Sequence, residues 1–265
     1  MLRPRIIPCL LASRNGLVKT VEFKDRKYVG DPLNAVKIFN EKEVDELIVV
    51  DIDASVHGTA PDFGLIKSMA AECRMPLCYG GGIKSLEQAV QIIKLGVEKV
   101  ALSSAALSDP GLITRISRHI GAQSTVVVLD VRRRPTGLGY EVWTHNGQRN
   151  TGRDPVEVAR QMQTLGVGEI VINSIDADGT MKGYDRGLTK AVRDVVSVPM
   201  TVLGGAASLD DVGILIDEFG IIGAAAGSLF VFKGIYRAVL ISYPDRQRKA
   251  RITARAWKKT EGSQL

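Results

Sequence analysis

The chain of 265 residues has few of the groups that build metal or redox sites. Its three cysteines, Cys9, Cys73 and Cys78, are an odd set with no zinc or CxxC spacing. Cys9 and Cys78 sit in apolar runs, where cysteine acts as a small hydrophobe. A reducing, cytoplasmic setting is the default expectation. The three histidines, His57, His119 and His145, form no pair at metal-ligand spacing, so neither a metal nor a cofactor is expected. No stretch approaches the roughly 20 uncharged apolar residues of a membrane helix. The start, MLRPRIIPCLLAS, has the order of a signal peptide. Its apolar run is short, however, and Arg14 and Lys19 follow without a small-residue cleavage site, so a buried first strand is expected.

Charge is unevenly spread. The segment from Asp245 to Leu265 holds seven Lys/Arg against two acids, most of the net +6. A basic tail can contact nucleic acid or an acidic partner. With one aromatic residue and no nucleic-acid motif, the expectation is a solvated or frayed end, with neither nucleic acid nor membrane as partner. Residues 1–245 are read as one domain and 246–265 as the tail.

Short apolar runs alternate with stretches of helical period. The runs are Ile6–Leu11, Leu47–Asp51, Pro76–Tyr79, Lys99–Ser103, Thr125–Asp130, Glu169–Asn173, Pro199–Leu203 and Ile222–Ala226. The helical stretches are Pro32–Glu43, Asp62–Cys73, Ser85–Leu95, Asp109–Ile120, Asp154–Leu165, Arg186–Val195, Ser208–Glu218 and Leu229 to about Ile241. Strands apolar throughout and separated by helices imply a parallel sheet covered on both faces. Eight such units in a chain of this length predict an α/β fold, a single (β/α)8 TIM barrel; a doubly wound open sheet is the alternative. Asn146-Gly147 within Gly139–Thr151 predicts a β-hairpin over the barrel mouth after strand five.

The chain also repeats itself. Glu46–Ser55 resembles Glu169–Asp178, Tyr79–Gly82 resembles Leu203–Ala206, and Leu95–Leu107 resembles Phe219–Val231, all at nearly one offset. A period near half the chain predicts two related half-barrels. Strand one ends at Leu11 where strand five ends at Asp130. Strand C-terminal ends form the chemical face of this fold. Asp130 is open to a catalytic or ligand role, which its position favours, or to a merely structural one. Gly81 and Gly82 with Ser103 and Ser104 in the first half match Gly204 and Gly205 with Gly227 and Ser228 in the second. Glycines let backbone N–H groups approach an anion, and helix starts add favourable charge. Two symmetric copies predict a small molecule with a phosphate at each end. At the opposite end Arg5, Glu46, Lys99 and Glu169 begin strands and predict a charged layer, open to a stabilising role.

IIPCL, the GDP at Gly30–Pro32, DELIVVDIDAS, YGGGI, VVVLD, NTG, SIDADGTMKGYD and LGGA resemble the cyclase subunit of imidazole glycerol phosphate synthase, from Met1 to about Phe232. The resemblance implies a glutaminase docked at the N-terminal face and ammonia entering through a gate matched by Arg5, Glu46, Lys99 and Glu169. It also implies substrate contacts at Lys19, Asp51 and Asp178, and an acid/base pair of aspartates ending strands one and five. Asp130 matches the second aspartate; the first falls on Leu11, which cannot carry a proton. The family's asparagine after strand four is Ser103. Val18–Leu47, CYGGGI, THNG and VLISYP resemble a paralogous subgroup linked to acetamidino modification of N-acetyl sugars in surface polysaccharides such as lipopolysaccharide. There the barrel and a glutaminase would supply ammonia to a separate sugar amidotransferase. Three functions follow as alternatives: an ammonia-conducting subunit of that system, an ordinary histidine-biosynthesis cyclase (a lyase), and a non-catalytic scaffold that activates the glutaminase.

Overall fold

The computed structural model describes residues 3–14, 16–135, 137–254 and 256. In chain order it holds β1 (Arg5–Ser13), β2 (Gly16–Val21), β3 (Lys24–Gly30), α1 (Pro32–Glu41), β4 (Leu47–Asp51), α2 (Ala54–His57), α3 (Phe63–Glu72), β5 (Leu77–Gly80), α4 (Leu86–Lys94), β6 (Lys99–Leu102), α5 (Ser104–Ser108) and α6 (Gly111–Ile120). The second half follows with β7 (Thr125–Arg133), β8 (Tyr140–Thr144), β9 (Arg149–Asn150), α7 (Pro155–Thr164), β10 (Glu169–Ser174), α8 (Arg186–Arg193), β11 (Met200–Leu203), α9 (Leu209–Phe219), β12 (Gly223–Ala226), α10 (Ser228–Val231), β13 (Phe232–Lys233), β14 (Ala238–Val239) and α11 (Arg246–Thr253).

Eight parallel strands close in the order β1-β4-β5-β6-β7-β10-β11-β12 and back to β1, so the predicted barrel is what forms. Outward residues such as Ile6, Leu47, Leu77 and Val127 pack beneath the helices in one large cluster. Inward residues Ile7, Cys9, Ile48, Cys78, Ala101, Val126, Val171 and Ala225 form a separate apolar column on the axis. Local signals place the helices. Asp31 and Asp154 cap α1 and α7, each followed by proline at the first turn, where proline's missing N–H costs nothing. Asp109 does not cap α6; it pairs with Arg115 at 2.5 Å, and Pro110 takes the cap position.

The hairpin after strand five forms as expected, with β7 running on to pair with β8. A second hairpin, β2–β3, was not expected. It follows strand one, and its turn residues Glu22 and Phe23 carry φ of 51° and 65°. The tip of the other hairpin, His145 and Asn146, has φ of 54° and 55°. Glu22 to His145 and Phe23 to Asn146 are each one repeat period apart, so the repeat extends to the hairpins. Glu-Phe carries no turn signal, and for this reason only one copy was legible.

The last helix differs from expectation. In place of one helix from Leu229 to Ile241, α10 ends after four residues and the chain turns through the β13–β14 hairpin, with Gly234 and Arg237 at positive φ. The eighth outer helix is α11, within the stretch expected to be frayed. Asp245 caps it, Ile252 is buried, and Lys249 reaches Asp45 at 2.9 Å. The tail's Arg255, Lys258 and Lys259 lie outside the described residues. Ile252→Ala is expected to lower stability by about 2 kcal/mol, the low end for a buried isoleucine. Urea unfolding checks this: no change would mean that α11 adds nothing to the core.

Candidate functional site

The inward side chains at the C-terminal strand ends enclose a cavity of about 1270 Å³, including space open to solvent. Leu11, Lys19, Asp51, Gly81, Gly82, Ser103, Ser104, Asp130, Asp178, Gly204, Gly205, Gly227 and Ser228 all line it. Residues singled out from all eight barrel strand ends and their loops are thus brought to one mouth.

The floor is uneven. Leu11 pairs with Val50 and, with Val128 and Leu203, closes the apolar column from above. Across it, Asp130 accepts a hydrogen bond from Asn173 Nδ2 at 2.9 Å. Burial pushes the Asp130 carboxyl up to about 7. The Asn173 amide opposes the rise and the Asp178 charge adds to it, while Ser103 lowers it slightly although its buried hydroxyl completes no hydrogen bond. Ser13 offers no replacement acid, since its hydroxyl donates to Asp53 at 2.8 Å.

Lys19 is fully enclosed and donates to the Cys9 carbonyl at 2.7 Å. Burial pushes its ammonium down, and the Cys9 and Asp178 groups partly restore it. A side chain at Gly227 would collide with the Lys19 ammonium, so the lysine lies against the second glycine loop. Asp178 accepts from Thr20 Oγ1 at 2.6 Å and from the Phe23 amide at 3.3 Å, which ties the first hairpin to the mouth. Burial moves the Asp178 carboxyl up. Asp51 accepts from the Asp53 and Ala54 amides at 2.9 and 3.0 Å, so one of its oxygens is committed to shaping its own loop. Asp53 turns away to Arg26, and Asp176 to the Arg133 amide. Only one member of each Asp pair lines the mouth; Asp53, Asp176 and Asp178 lie past the ends of β4 and β10, where loop hydrogen bonds and not strand alternation set their directions.

The glycine loops are superimposed by the repeat in their steric demands. Gly81 and Gly204 have φ of 113° and 98°, and a Cβ at either would collide with the backbone of Asp51 or Ser174, residues one period apart. This need for glycine exists with or without an anion.

Three groups went unnoticed in the sequence. Asn173 orients Asp130, and Phe23 and His145 line the cavity from the two hairpin tips. His145 precedes the Asn-Gly turn, a signal that could have placed it there. The run Arg132–Arg134 is occupied in holding β8 of the hairpin after β7 and the start of α8. Arg132 lies 4.6 Å over the Trp143 ring, Arg133 pairs with Asp185 at 2.7 Å, and Arg134 faces Glu141 at 3.6 Å. His57 does not line the cavity.

At the other end of the axis the four strand-start charges meet in one ring. Arg5 pairs with Glu46 and, at 2.6 Å, with Glu169; Lys99 reaches both acids at 2.8 Å. Thr201 Oγ1 adds a bond to Glu169 at 2.6 Å. Burial alone would raise the Glu169 carboxyl, but Arg5 and then Lys99 outweigh it and hold the group at about 2. The same attraction moves Arg5 and Lys99 upward against burial. Among the described residues no group of acids, histidines and cysteines could hold a metal ion, and no helix is long and apolar enough to cross a membrane.

Comparison with known proteins finds a match of residues 5–236 to the family described as "Histidine biosynthesis protein". A protein of Vibrio vulnificus, provisionally named imidazole glycerol phosphate synthase subunit hisF3, is 57% identical over 94% of this chain and 96% of its own. One of Pseudomonas aeruginosa, provisionally named subunit hisF2, is 54% identical over 92% and 97%. The imidazole glycerol phosphate synthase subunit HisF of Exiguobacterium sibiricum is 41% identical over 87% and 91%.

The ring has a pH signature. The folded Glu169 carboxyl lies below its usual value of 4.5, so its contribution is full above that pH and is lost as pH falls towards about 2. Glu169→Gln is expected to cost about 3 kcal/mol at pH 7, because both cations lose a buried partner, and to flatten the loss of stability below pH 4.5. Urea midpoints from pH 3 to 7 check this; an unchanged slope would show that the ring does not govern acid stability.

Proposed function

Since the chain belongs to the family of histidine biosynthesis proteins, we propose that it is the barrel subunit of a glutamine-dependent system. In this reading it pairs with a glutaminase at the charged ring and conducts ammonia along the axis. The acceptor is a sugar amidotransferase that builds an acetamidino group on an N-acetyl sugar of a surface polysaccharide. The observation that carries the reading is Leu11. It stands where a two-site proton relay needs a carboxylate, across the mouth from Asp130, whose buried carboxyl is pushed up to about 7. General acid–base catalysis contributes typically about 10²–10⁴-fold, so the loss of one partner is expected to cripple cyclisation.

Other features support transit and binding without cyclisation. The ring of Arg5, Glu46, Lys99 and Glu169 stands at one end of a column narrowed only by apolar and small side chains such as Ala101 and Ala225. The two glycine loops and Lys19 provide donors for a phosphorylated small molecule at the other end. The second reading, a histidine-biosynthesis cyclase, is favoured by those intact loops and by the relative at 41% identity that bears that name.

The test is turnover of the two-phosphate ribonucleotide with ammonium salt. The chain as it stands should form little imidazole glycerol phosphate, and Leu11→Asp should raise the rate by about 10²-fold or more. Robust turnover by the unaltered chain would establish the second reading instead. With glutaminase and sugar amidotransferase present, Lys99→Ala should lower glutamine-dependent amidation while amidation from added ammonium persists. Equal glutamine-dependent rates would argue against passage through the ring.

A further inference from the structure

The two anion loops follow one another through the repeat, but the groups around them do not. At the second loop the cation is Lys19, enclosed and fixed on the Cys9 carbonyl beside Gly227. At the first loop the tip of the β8–β9 hairpin comes down instead. The His145 amide donates to Ser104 Oγ at 3.1 Å, and the His145 and Asn146 side chains line the same cavity as Gly81, Gly82, Ser103 and Ser104. On the other side of the tip stands Phe23, near enough that a side chain added at Gly147 would press on its ring. Ring atom Nδ1 of His145 lies 3.0 Å from Thr144 Oγ1, which orients the imidazole. Lys84 and Arg149 are near enough to act on the imidazole's charge, and both are cations. The position one period earlier is Glu22, an acid, so this group has no counterpart in the other half.

We propose that His145 is a ligand-contacting, specificity-determining residue: its imidazole reads the anionic group seated at the Gly81–Gly82 and Ser103–Ser104 loop, and so distinguishes the two ends of a ligand with a phosphate at each end. The inference rests on the reading of these loops as anion sites. The geometry gives the contact three properties. It comes from a hairpin tip anchored on Ser104, so ring and loop keep a fixed spacing. Nδ1 is engaged by Thr144, which leaves Nε2 for the ligand. The neighbouring charges, Lys84 and Arg149, both favour an anion there. Without ligand, burial and then Arg149 and Lys84 hold the imidazole below its usual range. A bound dianion reverses that balance, so binding at this end takes up a proton while binding beside Lys19 does not need to.

Inorganic sulfate is the probe, because it stays dianionic from pH 5 to 8. The histidine rings of the full chain are followed by NMR through a pH series, with and without sulfate at constant ionic strength. His145→Asn assigns the resonance, and asparagine tolerates the positive φ at this turn. Sulfate should raise the His145 midpoint by half a unit or more and leave His119 on α6 unmoved. His145→Asn should weaken sulfate binding several-fold at pH 6 and much less at pH 8. Sulfate that shifts the Gly204 and Gly205 amides but leaves the His145 midpoint in place overturns this inference and leaves the anion-site reading standing. Sulfate that shifts neither glycine loop overturns both.

Discussion

Closing eight parallel strands into a barrel forces alternate side chains onto a single axis, and every feature of the site depends on that constraint. The inward positions stack in layers. The lowest carries Arg5, Lys99, Glu169 and Thr201, with Glu46 reaching in from its loop; the middle is apolar and small; the top carries Leu11, Ser103, Asp130 and Asn173. Charge is affordable at the bottom because each ion meets two of opposite sign. An isolated charge in the apolar middle would face an unrecovered desolvation cost. Asp130 is closest to that situation, and it answers by holding its proton to near neutrality.

The internal repeat copies constraints more faithfully than it copies chemistry. Gly81 and Gly204 are demanded by the same backbone approach, and the hairpin tips at Glu22–Phe23 and His145–Asn146 share one turn geometry. The side chains presented by these copies have diverged. Leu11 stands against Asp130, Ser13 against Arg132, and Glu22 against His145. A fold that preserves positions while exchanging the groups on them can keep binding and transit and give up a proton relay.

The barrel, the charged ring and both glycine loops were legible in the sequence, because each follows from a pattern tied to covalent geometry: strand period, strand start, glycine at a strand end. Other parts were not, for physical reasons. The β2–β3 hairpin turns on Glu22-Phe23 at left-handed dihedrals, with both amides bonded to Asp178, a residue far away in sequence. The displaced last helix depends on Gly234 opening a turn within a stretch of helical period, and on Asp45 and Ile252 contacts that make a basic segment dock. Asn173 gave no local sign, since its role comes from a neighbouring strand placing its amide against Asp130.

The account centres on Asp130 as a buried acid with Leu11 across the mouth from it, in the proposed reading the one acid left of a pair. Its titration is the direct measurement: carboxyl carbon-13 NMR of aspartate-labelled protein, assigned with Asp130→Asn, from pH 3 to 9. A single transition near 7 is the result expected from its burial. A midpoint near 4, the ordinary value for an aspartate, would show a well-solvated or ion-paired carboxylate and contradict the account.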